Sequence, residues 1–144
     1  MLTRSEQPMT AKPQKALHPI SRKSAIRPLV LILCVEDNET YLRLRQELLE
    51  QAGYTVLNAN TVVEAMEMFR EAPVSLVLSD HMLRGTSGTA LAKEMKSIKG
   101  DVPFILHSGN VPESMQHVDG FINKDESVSS FLALVHGFVK RYCE

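Results

Sequence analysis

The sequence predicts an α/β fold: a doubly wound, five-stranded parallel sheet covered by helices on both faces. Two observations carry this. Short apolar runs alternate with helix-period segments along the chain from Leu29 onward. The runs are also apolar throughout rather than on alternate residues, as expected of strands buried on both faces. With 144 residues, 44% hydrophobic and 23% charged, the chain suits one domain of ordinary globular composition.

The elements follow in order. "LVLILCV" (Leu29 to Val35) is the first strand, after which Tyr41, Leu44, Leu48 and Ala52 recur at helical spacing until Gly53 offers a C-cap. "YTVLNA" is the second strand; Thr61, with Glu64 three residues on, forms a capping box before a helix carrying Val62, Ala65, Met66 and Phe69. Pro73 closes that helix. "VSLVLS" is the third strand, and Gly88, Leu91, Met95 and Ile98 mark a helix ending near Gly100. "PFILH" is the fourth strand, and the span from Pro112 to Gln116 allows a short fourth helix. "GFIN" is a brief fifth strand, followed by a final helix with Val128, Phe131, Leu132, Val135, Phe138, Val139 and Tyr142 on one stripe.

Residues 1–28 read differently from the rest. They hold four of the seven prolines and six of the sixteen basic residues against Glu6 alone, with no sustained apolar period. This predicts a flexible basic extension, with the folded domain spanning 29–144. The segment lacks interleaved aromatics, and the body is acidic, which argues against nucleic acid as a partner. No run approaches the ~18 apolar residues of a membrane span. Glu36 and Asp37 directly after the first strand argue against a secretory signal. Cys34 and Cys143 supply neither a disulfide framework nor metal-ligand spacing, so a reducing, cytoplasmic setting is expected.

In doubly wound sheets, ligands bind beyond the carboxyl ends of the strands. The residues there are Glu36 and Asp37, then Asp80, Ser108 and Lys124. Singly, each has a plain explanation as a helix-terminal charge, a turn residue or a solvated lysine. Converging on one edge, three carboxylates would repel one another unless a cation sat among them. Hard oxygen ligands suit Mg²⁺, and with Lys124 the site becomes neutral enough to accept a phosphoryl group.

"ILCVEDNE", "VSLVLSDHMLRGTSG", "FILHSG" and "GFINK" together resemble the signature blocks of the response-regulator receiver domain (CheY-like), in order and across the domain. The resemblance implies a flavodoxin-like (βα)5 fold with strand order 2-1-3-4-5. It implies that Asp80 accepts a phosphoryl group from a sensor histidine kinase or histidine phosphotransfer protein, forming an aspartyl phosphate that hydrolyses slowly by itself. It assigns Mg²⁺ to Asp37, Asp80 and the backbone carbonyl of Met82, with Glu36 acting through water. Ser108 and Lys124 would contact the phosphoryl group, and Phe121 matches the family's switching aromatic.

Arg84 and Asp125 stand where the family commonly has proline, and the first departure predicts a looser loop after Asp80. Sixteen positions separate Ser108 from Lys124, fewer than is typical, hence the short fourth helix. His107 reads as a satisfied core histidine and His81 as a loop residue. The final helix ends near Glu144, so a stand-alone receiver in a phosphorelay, signalling through a downstream protein target, is expected. The alternatives are a receiver-like adaptor that signals without phosphorylation and an aspartate-nucleophile phosphatase. The second fares worse, because Met82 stands where such enzymes commonly carry an acid.

Overall fold

A computed structural model describes residues 29–144. The basic extension expected over 1–28 lies outside the described residues. Five parallel strands, β1 (Leu31–Val35), β2 (Thr55–Ala59), β3 (Leu76–Ser79), β6 (Phe104–Ser108) and β7 (Gly120–Asn123), form one sheet in the spatial order β2-β1-β3-β6-β7. This is the expected 2-1-3-4-5 order, counted over the strands of the large sheet. The two intervening strands, β4 (Met82–Leu83) and β5 (Thr86–Ser87), pair antiparallel as a separate hairpin.

Among the described residues, four helices accompany the sheet: α1 (Glu39–Gln51), α2 (Val62–Glu71), α3 (Gly88–Ile98) and α4 (Val128–Cys143). Alternation along each strand sorts the core into two layers. Leu33 and Val35 of β1 point to one side, where they pack with Ala65, Met66 and Phe69 of α2 and Leu91, Ala92 and Met95 of α3. Ile32 and Cys34 point to the other, against Leu42 and Leu49 of α1 and Phe131, Val135 and Val139 of α4. Each helix opens on a side-chain cap: Asn38, Thr61, Ser87 and Ser127 accept from the backbone of Tyr41, Glu64, Ala90 and Ser130. Glu64 does not close the expected capping box on the Thr61 N–H; its Oε1 accepts instead from the backbone N–H of Asn60, one residue before the cap.

The structure corrects the sequence reading of several elements. The buried stripe of α1 is Leu42, Arg45 and Leu49, whereas Tyr41 and Leu44 are half exposed. An arginine at an inward position broke the apolar period and shifted the apparent face. Secondly, no helix forms at Pro112 to Gln116; residues 109–119 bend and turn between β6 and β7. Asp119 ties this segment down: its N–H donates to Phe104 O at 2.8 Å, and its Oδ2 accepts from Phe104 N at 2.8 Å and Lys96 Nζ at 2.7 Å. Thirdly, the loop after Asp80 is closed rather than loosened, with Met82 opposite Ser87, Leu83 opposite Thr86, and Gly85 turning the chain at φ +83°.

Candidate functional site

Parallel strands end together, so the residues that follow them meet at one edge. Glu36 follows β1, Asp80 follows β3, Ser108 ends β6 and Lys124 follows β7. Main-chain bonds fix these ends against each other: Asp80 N donates to Val35 O at 3.0 Å and Lys124 N to Ser108 O at 3.0 Å. The side chains then converge. One carboxylate oxygen from each of Glu36, Asp37 and Asp80 lies within 4.8 Å of the others.

Burial makes this cluster chemically unusual. Glu36 is 1% exposed and Asp80 7%, and an ionised carboxylate is costly to bury without partners. Lys124 meets both, its Nζ lying 2.9 Å from Glu36 Oε1 and 3.2 Å from Asp80 Oδ2. The second Asp80 oxygen, Oδ1, accepts the backbone N–H of His81 at 2.8 Å. Lys124 is itself held over the ring of Tyr41, 5.0 Å from its centroid. An acid bonded in this way ends a buried strand at a bearable cost and still faces the sheet edge.

The other expected residues fall as follows. Ser108 is 1% exposed, and its Oγ accepts only a long 3.3 Å bond from Asn110 N. Phe121, in β7, packs partly buried against the α2 and α3 layer. Met82 sits in β4 and is 65% exposed, two residues beyond Asp80. His81 and His107 each have a buried Nδ1 without a hydrogen-bond partner among the described residues. His107 is therefore a partly buried histidine with an unpartnered ring nitrogen, not the satisfied core histidine expected. Its ring lies 4.8 Å from that of Phe131, and burial, with the Arg45 and Lys124 charges, pulls its pKa down to about 3. It is neutral at physiological pH.

Two contributors escaped the sequence reading. Gly88 starts α3 against the backbone of Asp80: a Cβ there would stand 2.6 Å from Asp80 O and 2.5 Å from a Leu106 methyl. Arg45 is 3% exposed and places Nη2 3.1 Å from Glu36 Oε1, the oxygen that Lys124 also contacts. The signal for Arg45 lay in the Leu42, Arg45, Leu49 spacing, an inward helical stripe with one cation in it.

The domain is thus a doubly wound sheet with an acidic pocket, a lysine and a hydroxyl at its carboxyl edge. The description "Response regulator receiver domain" matches residues 32–136, and the chain belongs to that family. It is similar to the polar-differentiation response regulator DivK of Brucella ovis, 26% identical over 124 residues, covering 75% of this chain and 94% of that protein. It is also similar to YkoG of Bacillus subtilis, described as a transcriptional regulatory protein. There the identity is 28% over 116 residues, 76% of this chain, and the match spans only 51% of YkoG. Among solved structures, TrrA of Thermotoga maritima, in complex with Mg²⁺-BeF, superposes with a TM-score of 0.71 at 26% identity, covering 76% of this chain and 98% of that one. A CheY-like receiver from Methanospirillum hungatei shares the fold, with a TM-score of 0.75 at 23% identity over 80% of this chain and 97% of that one.

Receiver domains bind Mg²⁺ at an acidic pocket, and this chain carries an acidic cluster of that kind. Membership of the family implies a kinase or phosphotransfer partner. No helix among the described residues is long and apolar enough to cross a membrane.

Proposed function

We propose that this domain, spanning 29–144, is a phosphoryl acceptor in a two-component relay, with Asp80 as the nucleophile. The observation that carries this reading is the setting of Asp80: a nearly buried carboxylate held between the Lys124 ammonium and two further acids. An Asp80 oxygen attacks the phosphorus of a phosphohistidine on the donor protein. The new O–P bond forms as the P–N bond breaks, and its electron pair returns to the imidazole nitrogen. Lys124 then pairs with the phosphoryl oxygens in place of Asp80, and the Ser108 hydroxyl, which accepts in its bond with Asn110 N, donates its hydrogen to another.

The donor set fits a hard divalent cation, since three clustered carboxylates outnumber the one lysine that touches two of them. Asp37, Asp80 and the Met82 carbonyl would hold Mg²⁺, with Glu36 at one remove. Bound there, the ion would offset negative charge on the transferring group. The complex of the similar TrrA with Mg²⁺-BeF supports this assignment. Phe121, packed beneath the same edge, is the element that Ser108 would bias, so the output is a changed surface read by a downstream protein in the cytoplasm. The test is intact-mass measurement after incubation with Mg²⁺ and acetyl phosphate. A single metal-dependent phosphoryl adduct, absent from Asp80→Asn, is the expected result; an adduct of equal yield on the variant would overturn the assignment.

A further inference from the structure

Arg45 is a buried cation that the proposed phosphoryl chemistry does not use. Its guanidinium reaches one carboxylate among the described residues, Glu36, and its Nε and Nη1 are buried without a hydrogen-bond partner. Neighbours on the same face give it no further anion. Cys34 stays a thiol, its pKa raised by burial to about 11 despite the adjacent guanidinium, and His107 is neutral. Breaking a buried ion pair by removing one partner leaves an uncompensated charge, which is strongly unfavourable. Glu36 is therefore committed to Arg45.

That commitment acts on the acidic cluster. Glu36 Oε1 already accepts from both Arg45 Nη2 and Lys124 Nζ, and Glu36 Oε2 accepts the N–H of Asn38 at 3.2 Å. With Arg45 counted, the three carboxylates face two cations, so a single negative charge is left to attract a metal. We propose that Arg45 is a positioning residue that competes with a divalent cation for the Glu36 carboxylate and holds the affinity of the pocket below what its acids alone would give. The proposal rests on the reading that this pocket takes Mg²⁺. Its second consequence concerns Lys124. Because Arg45 continues to neutralise Glu36, Lys124 can leave that carboxylate for an incoming phosphoryl group without stranding a buried charge.

The test is a Mg²⁺ titration of the full chain, followed by amide NMR shifts around Asp80. The variants are Arg45→Met, Arg45→Gln and Arg45→Lys, with Asp37→Asn as the control for site. Arg45→Gln keeps a donor for Glu36 and so covers the case in which Arg45→Met fails to fold. Both neutral variants should bind Mg²⁺ at least about fivefold tighter than wild type, the scale of removing a unit charge near a divalent ion even under strong screening. Arg45→Lys should stay close to wild type. An arginine that merely supports the fold would loosen metal binding when removed. Folded neutral variants with unchanged or weaker affinity, while Asp37→Asn abolishes binding, overturn the role of Arg45 and leave the Mg²⁺ reading standing. Absence of any Mg²⁺ response in wild type and variants overturns both.

Discussion

The ammonium of Lys124 stands 3.2 Å from Asp80 Oδ2, joining the end of β7 to the end of β3 across a sheet edge where both side chains are largely buried. The same nitrogen reaches Glu36 Oε1 at 2.9 Å, so one cation ties three strands together. Lys124→Met removes two charge-assisted bonds. Stability without metal should fall by about 3 kcal/mol, the low end for two hydrogen bonds to charged groups at about 1.5 to 3 kcal/mol each. Urea unfolding with and without Mg²⁺ checks this, the metal recovering part of the loss.

Gly88 lets the start of α3 lie against the backbone of Asp80. An alanine methyl would collide with Asp80 O and Leu106, so Gly88→Ala should destabilise the fold by about 1 to 3 kcal/mol, the usual cost of overpacking. Because the clash falls on the acceptor's own backbone, the variant should also accept phosphate more slowly than its remaining stability predicts. Denaturant curves and adduct time courses measure the two effects separately.

His107 gives the protein a pH dependence with a defined sign. Its folded pKa, about 3, lies below the ordinary value of 6.5, so the unfolded chain binds the extra proton between these limits. Stability from this group is fully present above pH 6.5 and is lost as the pH falls toward 3, with a slope of up to about 1.4 kcal/mol per pH unit. His107→Leu should flatten the thermal midpoint between pH 6.5 and 5, a window in which most carboxylates have yet to titrate; thermal unfolding across that window compares the two chains.

Ser108 couples the site to Phe121 in this account. Moving a two-state equilibrium from 1:99 to 99:1 takes about 5.5 kcal/mol, and charge-assisted bonds supply about 1.5 to 3 kcal/mol each. Ser108 and Lys124 together are barely sufficient. Ser108→Ala should still form the phosphoryl adduct but show a much smaller NMR shift at Phe121 on phosphorylation; a full-sized shift would remove Ser108 from the coupling.

What was legible in the sequence follows from which signals are local. Strands buried on both faces announce themselves as unbroken apolar runs, and their ends name Glu36, Asp80, Ser108 and Lys124 before any contact is known. The face of α1 was misread because Arg45 occupies an inward position whose neutralising partner, Glu36, lies in the turn after β1 and leaves no mark in the helix's own period. The local pattern from Pro112 to Gln116 suits a helix, yet the anchoring of this segment depends on Asp119 meeting Phe104 and Lys96, contacts set by tertiary position. The hairpin after Asp80 went unseen because two-residue strands carry no periodicity, although Gly85 marked its turn.

The central claim is that one carboxylate among three becomes phosphorylated. Borohydride reduces an acyl phosphate to an alcohol, so trapping the phosphorylated chain converts the modified aspartate to homoserine, which peptide sequencing by mass spectrometry locates. Homoserine is expected at position 80 alone, dependent on Mg²⁺ and acetyl phosphate. Homoserine at position 37, reduction at Glu36, or no reduced residue in a chain shown to carry the adduct would contradict it.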